Sequence, residues 1–399
     1  MVSSVLAPVQ QRGREALQRL GLPTRRQEAW RLTDLKRLGA MAALPLVREA
    51  LDPIVPEVAE GVTRIVLGGQ QDPLEGIRLP QGVTALTEAE LDQHLGQSLD
   101  HCGCSQAWPV ELNQAHSQQL LALRVRGRAT PLELVLPTGV GLTATRVLLL
   151  LESDADLELL QVFPAECSSP DEQRAHSHVL EAHLGQGARL RHGVLASGSA
   201  DASLMVHLAI EQEPDSHYGL TSVCRGWRFG RLEPRVLQRD GQATTGIHGL
   251  SMTTADEQFA THSSMRFGGP EGELDQLQKA VAADRSHNIF NGAIQVPRPA
   301  QRTDAAQLSR SLLLSRRARV DAKPELEIIA DDVKCAHGAT VSQLQEDELF
   351  YLRSRGITEM EATALLLNGY CQEVIDQLPA ETARWKLSER VHNLLISAV

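Results

Sequence analysis

Between about Leu120 and Leu344 apolar residues recur at every second position, and almost no stretch there keeps an uninterrupted helical spacing. Leu132-Leu134-Leu136, Leu190-His192-Val194 and Val206-Leu208-Ile210 carry the pattern, with Arg189 and Arg191 on the opposite face of the second run. Alternation of this kind makes strands with one face inside and one outside. Glycines punctuate the runs at Gly185, Gly187, Gly193, Gly198, Gly226, Gly230, Gly241, Gly246 and Gly249. Roughly two hundred residues of short strands without crossover helices exclude a Rossmann-type or TIM-barrel arrangement and leave a large sandwich, a propeller or a β-solenoid. The chain has no blade signature and no strict hexapeptide repeat. A solenoid tolerates irregular repeats because each rung meets only its neighbours, so a β-helix is the expected core.

The flanks read differently. Residues 10–20 are helical, with Leu17 and Leu20 on one side, and so is the segment from Trp30 to Leu38. Thr63 to Leu67 reads as a strand, Thr87 and Glu90 form a capping box, and a helix is expected from about Val110 to Leu121. Past the strands, Asp347 to Arg355 makes a helix with Leu349 and Leu352 on one face and Gly356 at its C′ position. Thr358 and Glu361 form another capping box, opening a helix with Ala362, Leu365, Leu366, Tyr370 and Val374 at helical spacing. A third helix is expected after Pro379, carrying Trp385, Leu387, Val391, Leu394 and Leu395. The expected division is a mixed helical domain over 1–119, a β-helix core over 120–344 and a helical domain over 345–399. The three last helices either close one end of the solenoid, shielding its edge from other strands, or offer a docking surface.

Composition excludes several roles. A formal net charge of −11, with Lys+Arg 39 against Asp+Glu 50, argues against gripping nucleic acid, and 3% aromatic residues argue against base-stacking platforms. Six cysteines in 399 residues are too few for a disulfide framework and fit reduced thiols in a cytoplasmic setting. Val147 to Leu151, the longest obvious apolar run, is far too short to span a membrane, and the N-terminus lacks the apolar stretch of a signal peptide.

No G-x-x-x-x-G-K-[ST], G-x-S-x-G or H-E-x-x-H motif occurs, so the chain should not hydrolyse ATP by itself. Asp331-Asp332 would suit a polysaccharide-cleaving β-helix, the competing enzymatic reading, but neighbours on a strand face opposite sides. A polar turn before a strand fits them better, and so few aromatics make a sugar cleft hard to build. Cys102 and Cys104, beside His101, look like a ligand pair, yet no second pair follows at finger-like spacing, and a flexible surface loop is expected. His176 and His178 share a strand face that is expected to be solvated, while Cys167, Cys224 and Cys371 read as buried small hydrophobes. Cys335 and His337 differ: two apart on a strand, a thiolate and an imidazole can approach one soft metal together.

Pro324-Glu325-Leu326-Glu327-Ile328 and Ala330-Asp331-Asp332-Val333-Lys334-Cys335-Ala336-His337-Gly338-Ala339-Thr340 resemble the SufB/SufD family of iron–sulfur cluster assembly proteins, the latter in its SufD form. The likeness continues through Leu349-Phe350-Tyr351-Leu352-Arg353-Ser354-Arg355-Gly356-Ile357. Upstream it takes in Phe290-Asn291-Gly292-Ala293-Ile294, Ala300-Gln301-Arg302-Thr303-Asp304-Ala305 and Leu312-Leu313-Leu314-Ser315. Glu28-Ala29-Trp30-Arg31 and Thr33-Asp34-Leu35 fit the entry segment, whereas Ala293, Ser311 and Ser342 depart from the family's usual residues.

The resemblance implies a right-handed parallel β-helix with helical flanks, acting as a non-catalytic subunit beside a SufB-like solenoid and a SufC-like ATPase. It implies a transient cluster at the partner interface, with His337 important there and Cys335 its less certain neighbour as shared metal ligands. It also implies ATPase docking on the C-terminal helices through Leu349, Leu352, Arg353 and Ile357. A homodimer of the isolated chain and a reduced flavin in the complex stay open, and no residue pattern points to the flavin.

Overall fold

The computed structural model describes residues 2–47, 55–68, 72–164, 172–199, 201–379 and 385. The strands form two nine-stranded sheets. Sheet one runs, in spatial order, β1 (Thr63–Val66), β4 (Leu132–Val135), β6 (Asp156–Pro164), β8 (Arg189–Ser197), β10 (His217–Arg225), β12 (Thr244–Thr253), β14 (Glu273–Ala282), β16 (Asp304–Leu313) and β18 (Lys334–Gln343). Sheet two runs β2 (Val83–Ala85), β3 (Gln119–Val125), β5 (Gly141–Leu151), β7 (Arg174–Leu184), β9 (Ala202–Gln212), β11 (Phe229–Gln238), β13 (Gln258–Phe267), β15 (His287–Val296) and β17 (Arg319–Ile328). From β3 on the chain alternates between the sheets. The ladders are parallel, except that β2 meets β3 antiparallel. This is a β-solenoid of about seven turns. One column shows the winding: His217 lies beside Thr244, then Glu273, Asp304 and Lys334.

The alternating apolar residues point into the lumen, where Leu132, Leu134, Leu190, Val194, Val206, Leu208 and Ile210 join one buried cluster. Val147–Leu151 is apolar throughout because β5 is buried on both faces, its alternate residues packing against the lumen and against the N-terminal cover. One corner repeats down the stack in left-handed backbone: Asp154, Gly187, Asp215, Gln242, Glu271 and Arg302 have φ between 54° and 69°. Each donates its N–H to a carbonyl of the next turn. Gly241, at φ +82°, is where glycine is indispensable, since a Cβ there would lie 2.0 Å from the Pro270 carbonyl oxygen. Gly241→Ala is expected to destabilise the protein by more than about 2 kcal/mol, read as a lower urea midpoint at unchanged m-value.

N-terminal elements cover the outer face of sheet two: α1 (Val2–Leu20), a 3₁₀ turn (Glu28–Trp30), α2 (Leu35–Ala42), α3 (Glu88–His94), α4 (Gln97–His101) and α5 (Trp108–His116). Trp30, Leu38, Met41, Trp108 and Leu112 pack there against Leu142, Ala175, Met205 and Phe229. The helix expected over Trp30–Leu38 breaks at Asp34, whose carboxylate accepts the N–H groups of Lys36 and Arg37 and caps α2. The helix expected to reach Leu121 stops at His116, because Gln119–Val125 pairs with β5 as a strand. The capping boxes at Thr87–Glu90 and Thr358–Glu361 are both formed.

At the other terminus, α6 (Glu346–Ser354) ends at Gly356, φ +86°. It is followed by α7 (Glu359–Ile375), whose Leu367, Cys371 and Val374 pack on the outer face of sheet one beside Leu195, Val223, Leu250 and Val281. Lys279 Nζ donates to the Tyr370 carbonyl at 2.7 Å, and Tyr370 OH donates to the Arg310 carbonyl at 2.6 Å. The expectation that these helices close an end of the solenoid is therefore corrected: α7 lies along the side wall, where an apolar stripe needs covering, and α6 buries no residue. The third expected helix lies outside the described residues, apart from Trp385, which joins the α7 cluster.

Candidate functional site

β17 and β18 are the terminal strands of their sheets, so one rung presents two strand edges without a neighbouring strand among the described residues. Cys335, His337, Ala339 and Val341 take the lumen-facing parity of β18, since their register partners Ala305, Gln307, Ser309 and Ser311 are all buried. On β17, Val320, Ala322, Pro324, Leu326 and Ile328 sit in the same way over buried Asn288, Phe290, Gly292, Ile294 and Val296. One turn further in, this surface is sealed. In the last turn it opens: Val341 is 51% and Ile328 42% exposed, His337 is exposed and Cys335 half-buried. Long apolar edges of this kind are normally blunted or covered, because they template pairing with another chain.

Cys335 and His337 thus sit together on an edge strand at an open end. Leu326, Val333 and Cys335 all pack against the lumen cluster. Burial pushes the Cys335 thiol upward, the Asp304 charge adds to this, and a backbone hydrogen bond from Ala305 opposes it. It therefore rests as a thiol, and a metal would have to displace its proton. His337 makes no hydrogen bond to a described residue. Among the described residues no group of three or more His, Cys, Asp or Glu side chains is gathered to hold a metal. Asp331 and Asp332 are exposed in the turn before β18, where Asp332's carbonyl accepts the Arg302 N–H.

A second surface follows immediately. Leu349, Leu352 and Ile357 are half-buried, and exposed Arg353 pairs with Glu359 at 3.4 Å. Sequence reasoning did not assign Tyr351 and Leu365 to this surface, yet with Leu352 and Leu366 they line an apolar groove between α6 and α7 edged by Asp347 and Glu348, and Phe350 (72% exposed) and Met360 are exposed on the same two helices. The signal was present: Leu349 to Leu352 are apolar or aromatic around most of a helical turn, more than one buried face requires.

The remaining candidates fall elsewhere. His176 and His178 are not on a solvated face; both are fully buried in the lumen. A directional chain runs through them. Tyr218 OH donates to His192 Nδ1 (3.1 Å), His192 Nε2 to Gln161 Oε1 (2.9 Å) and Gln161 Nε2 to His178 Nε2 (2.8 Å). From there His178 Nδ1 donates to Thr145 Oγ1 (2.8 Å) and Thr145 to His176 Nε2 (2.9 Å). With the amide and hydroxyls so arranged, His192 and His178 each use one N–H and one lone pair, His176 accepts at Nε2 while its Nδ1 has no hydrogen-bond partner among the described residues, and all three are neutral.

Nor is the Cys102–Cys104 segment a loose surface loop. Cys104 is buried with Leu99, Val110, Val179 and Ala209, and Cys102 Sγ donates to the Ile210 carbonyl. Burial pushes both thiols up, Cys102 to about 12. Cys224 and Cys371 are packed hydrophobes, while Cys167 lies outside the described residues.

Residues 136–370 match the family described as SUF system FeS cluster assembly, SufBD core domain. An iron–sulfur cluster assembly SufBD family protein of Synechocystis sp. is 30% identical over 97% of this chain and 91% of its own. The iron–sulfur cluster assembly protein SufD of Escherichia coli is 26% identical over 96% of this chain and 92% of its own. The chloroplastic protein ABCI7 of Arabidopsis thaliana is 35% identical over 63% of this chain and 52% of its own. No helix among the described residues is long and apolar enough to cross a membrane.

Proposed function

Because this chain belongs to the SufBD family of iron–sulfur cluster assembly proteins, we propose that it is a SufD-type, non-catalytic subunit whose open solenoid end pairs with a second, SufB-like solenoid. The nascent cluster is the cargo of that seam, and Cys335 and His337 are this chain's share of its ligands. The observation that carries this reading is the uncovered last turn, where an imidazole and a thiol stand on an edge strand. Iron in small clusters takes four thiolate or related ligands. Two side chains from one protein leave the coordination to be completed by another, and a half-held cluster is easier to pass on. The free cysteines suit a reducing, cytoplasmic setting. The division of labour we propose is an N-terminal domain over 1–119, whose helices cover sheet two while its β1 and β2 extend the two sheets, the solenoid core over 120–344 and a docking region over 345–399.

The apolar groove on α6 and α7 suits a SufC-like ATPase, with Leu349, Leu352, Arg353 and Ile357 joined by Phe350 and Tyr351. α6 starts at Glu346 and β18 ends at Gln343, so a pull on the helix bears directly on the edge strand. Co-expression with a SufB-like and a SufC-like subunit tests the assignment: all three are expected to co-purify. Val341→Lys should remove the solenoid partner, because a charge would be buried unpaired at the seam. Leu352→Asp should weaken ATPase retention at least tenfold and leave the solenoid pair intact. Undiminished co-purification of both variants would reject the two surfaces.

A further inference from the structure

One rung inside His337 a second polar ladder ends unfinished. Gln276, Gln307 and His337 are successive members of one lumen-facing column across β14, β16 and β18. Gln276 Nε2 donates to Ser263 Oγ at 2.7 Å, and Gln307 Nε2 donates to Gln276 Oε1 at 2.9 Å. The ladder uses Gln307 Nε2 and leaves Gln307 Oε1 over, and that atom is buried with no hydrogen-bond partner among the described residues, on a residue only 2% exposed. A buried carbonyl without a donor costs about 1–3 kcal/mol, so an orphan in an otherwise completed ladder calls for an occupant.

The family-like segment Phe290-Asn291-Gly292 points to the same spot. Gly292 does not have a positive φ, so its backbone does not demand glycine. A Cβ there would lie 2.4 Å from Gln307 Nε2 and 2.6 Å from Phe290 Cζ. Gly292 is the space in which the Gln307 amide lies.

We propose that Gln307 is the positioning residue for His337: when a partner covers the open end, the imidazole donates one ring N–H to Gln307 Oε1 and turns its other nitrogen, lone pair outward, toward the seam. This rests on the cluster-interface reading given above. Neighbouring strands are about 4.8 Å apart, within reach of a side-chain hydrogen bond between register partners. A neutral imidazole offers one donor and one acceptor, and metal-binding histidines almost always give the spare N–H to a carbonyl or carboxylate that fixes the tautomer. In the uncovered chain His337 is solvated and Gln307 Oε1 unpaired, so closure satisfies both groups at once.

The test uses the co-expressed complex with ¹⁵N-histidine in this chain, the His337 ring signals being assigned by their loss in His337→Ala. Clusters are built anaerobically from ferrous iron and sulfide. The wild type is expected to hold His337 in one tautomer. Gln307→Met removes the acceptor at similar length, and should give mixed tautomers with about tenfold less cluster. Gln307→Glu keeps an acceptor oxygen, and should retain the single tautomer, the Gln276 amide turning its Nε2 toward the new carboxylate. A single tautomer and full yield in Gln307→Met, with the yield of His337→Ala depleted, overturns the positioning role and leaves the interface reading standing. Full yield in His337→Ala overturns the interface reading itself. Should Gln307→Met fail to fold, mixed tautomers in the wild type or in Gln307→Glu overturn the inference.

Discussion

Acidification from pH 6.5 to 4.5 is expected to cost the fold about 4 kcal/mol per pH unit through His176, His178 and His192 alone, at about 1.4 kcal/mol per unit for each. Burial is the leading cause for all three; it holds His176 and His192 at about 3 and His178 well below the ordinary imidazole value. At His178 the two neighbouring histidines add to this, and at His176 the Pro137 carbonyl opposes it. The sign follows from linkage. Their folded values lie below the unfolded one, so stability is complete above pH 6.5 and is lost as the pH falls, because only the unfolded chain binds the protons. The hydrogen-bond chain keeps the folded state from taking up these protons, since protonating any of the rings would turn its accepting nitrogen into a donor that faces a neighbouring donor. Glu257, raised by burial to about 7, works the other way by about one such increment. Urea midpoints between pH 7.5 and 4.5 measure the slope, and His192→Gln, which keeps a hydrogen-bonding side chain, should reduce it by about one proton. A slope left unchanged by His192→Gln would rule out a neutral lumen His192 as one of its sources.

His337→Ala is the second large effect: in the complex it should lower cluster yield by about ten- to a hundredfold, with thermal stability and subunit composition unchanged. His337 is exposed on a terminal strand and makes no hydrogen bond to a described residue, so its removal leaves no cavity and orphans no group that the uncovered chain had paired. That separates it from lumen substitutions, whose losses would come through folding. Cys335→Ser should cost less, because a half-buried thiol with a raised pKa must lose a proton before it binds metal. Anaerobic reconstitution followed by iron and sulfide quantitation checks both. Equal yield in His337→Ala would remove the imidazole from the interface.

Particular residues show why the fold was only partly legible. Leu132-Leu134-Leu136 and Val206-Leu208-Ile210 announced strands with one inward face, and they lie in the lumen cluster. No repeat could be read because the recurring corner is fixed by backbone conformation and accepts Asp, Gly, Gln, Glu or Arg. Leu120 and Leu121 extended a helical pattern into a strand because β3 is buried on both faces, which erases the period that distinguishes the two. At the candidate site, the spacing of Cys335 and His337 put both on one face of a strand. It could not say whether that face was sealed.

What the sequence determined by itself is local or composed of many small repeats of one preference: alternation, capping boxes, the C′ glycine at 356 and the motif that marks the family. What only the tertiary structure decided is which inward-facing residues have another turn above them. His178 and His337 both point into the lumen from strands of similar pattern, yet one is sealed beneath later turns and the other stands at the last. Burial of a lumen residue is set by the next turn of the stack, about thirty residues away along the chain for Gln307 and His337, and no local pattern encodes where the stacking stops.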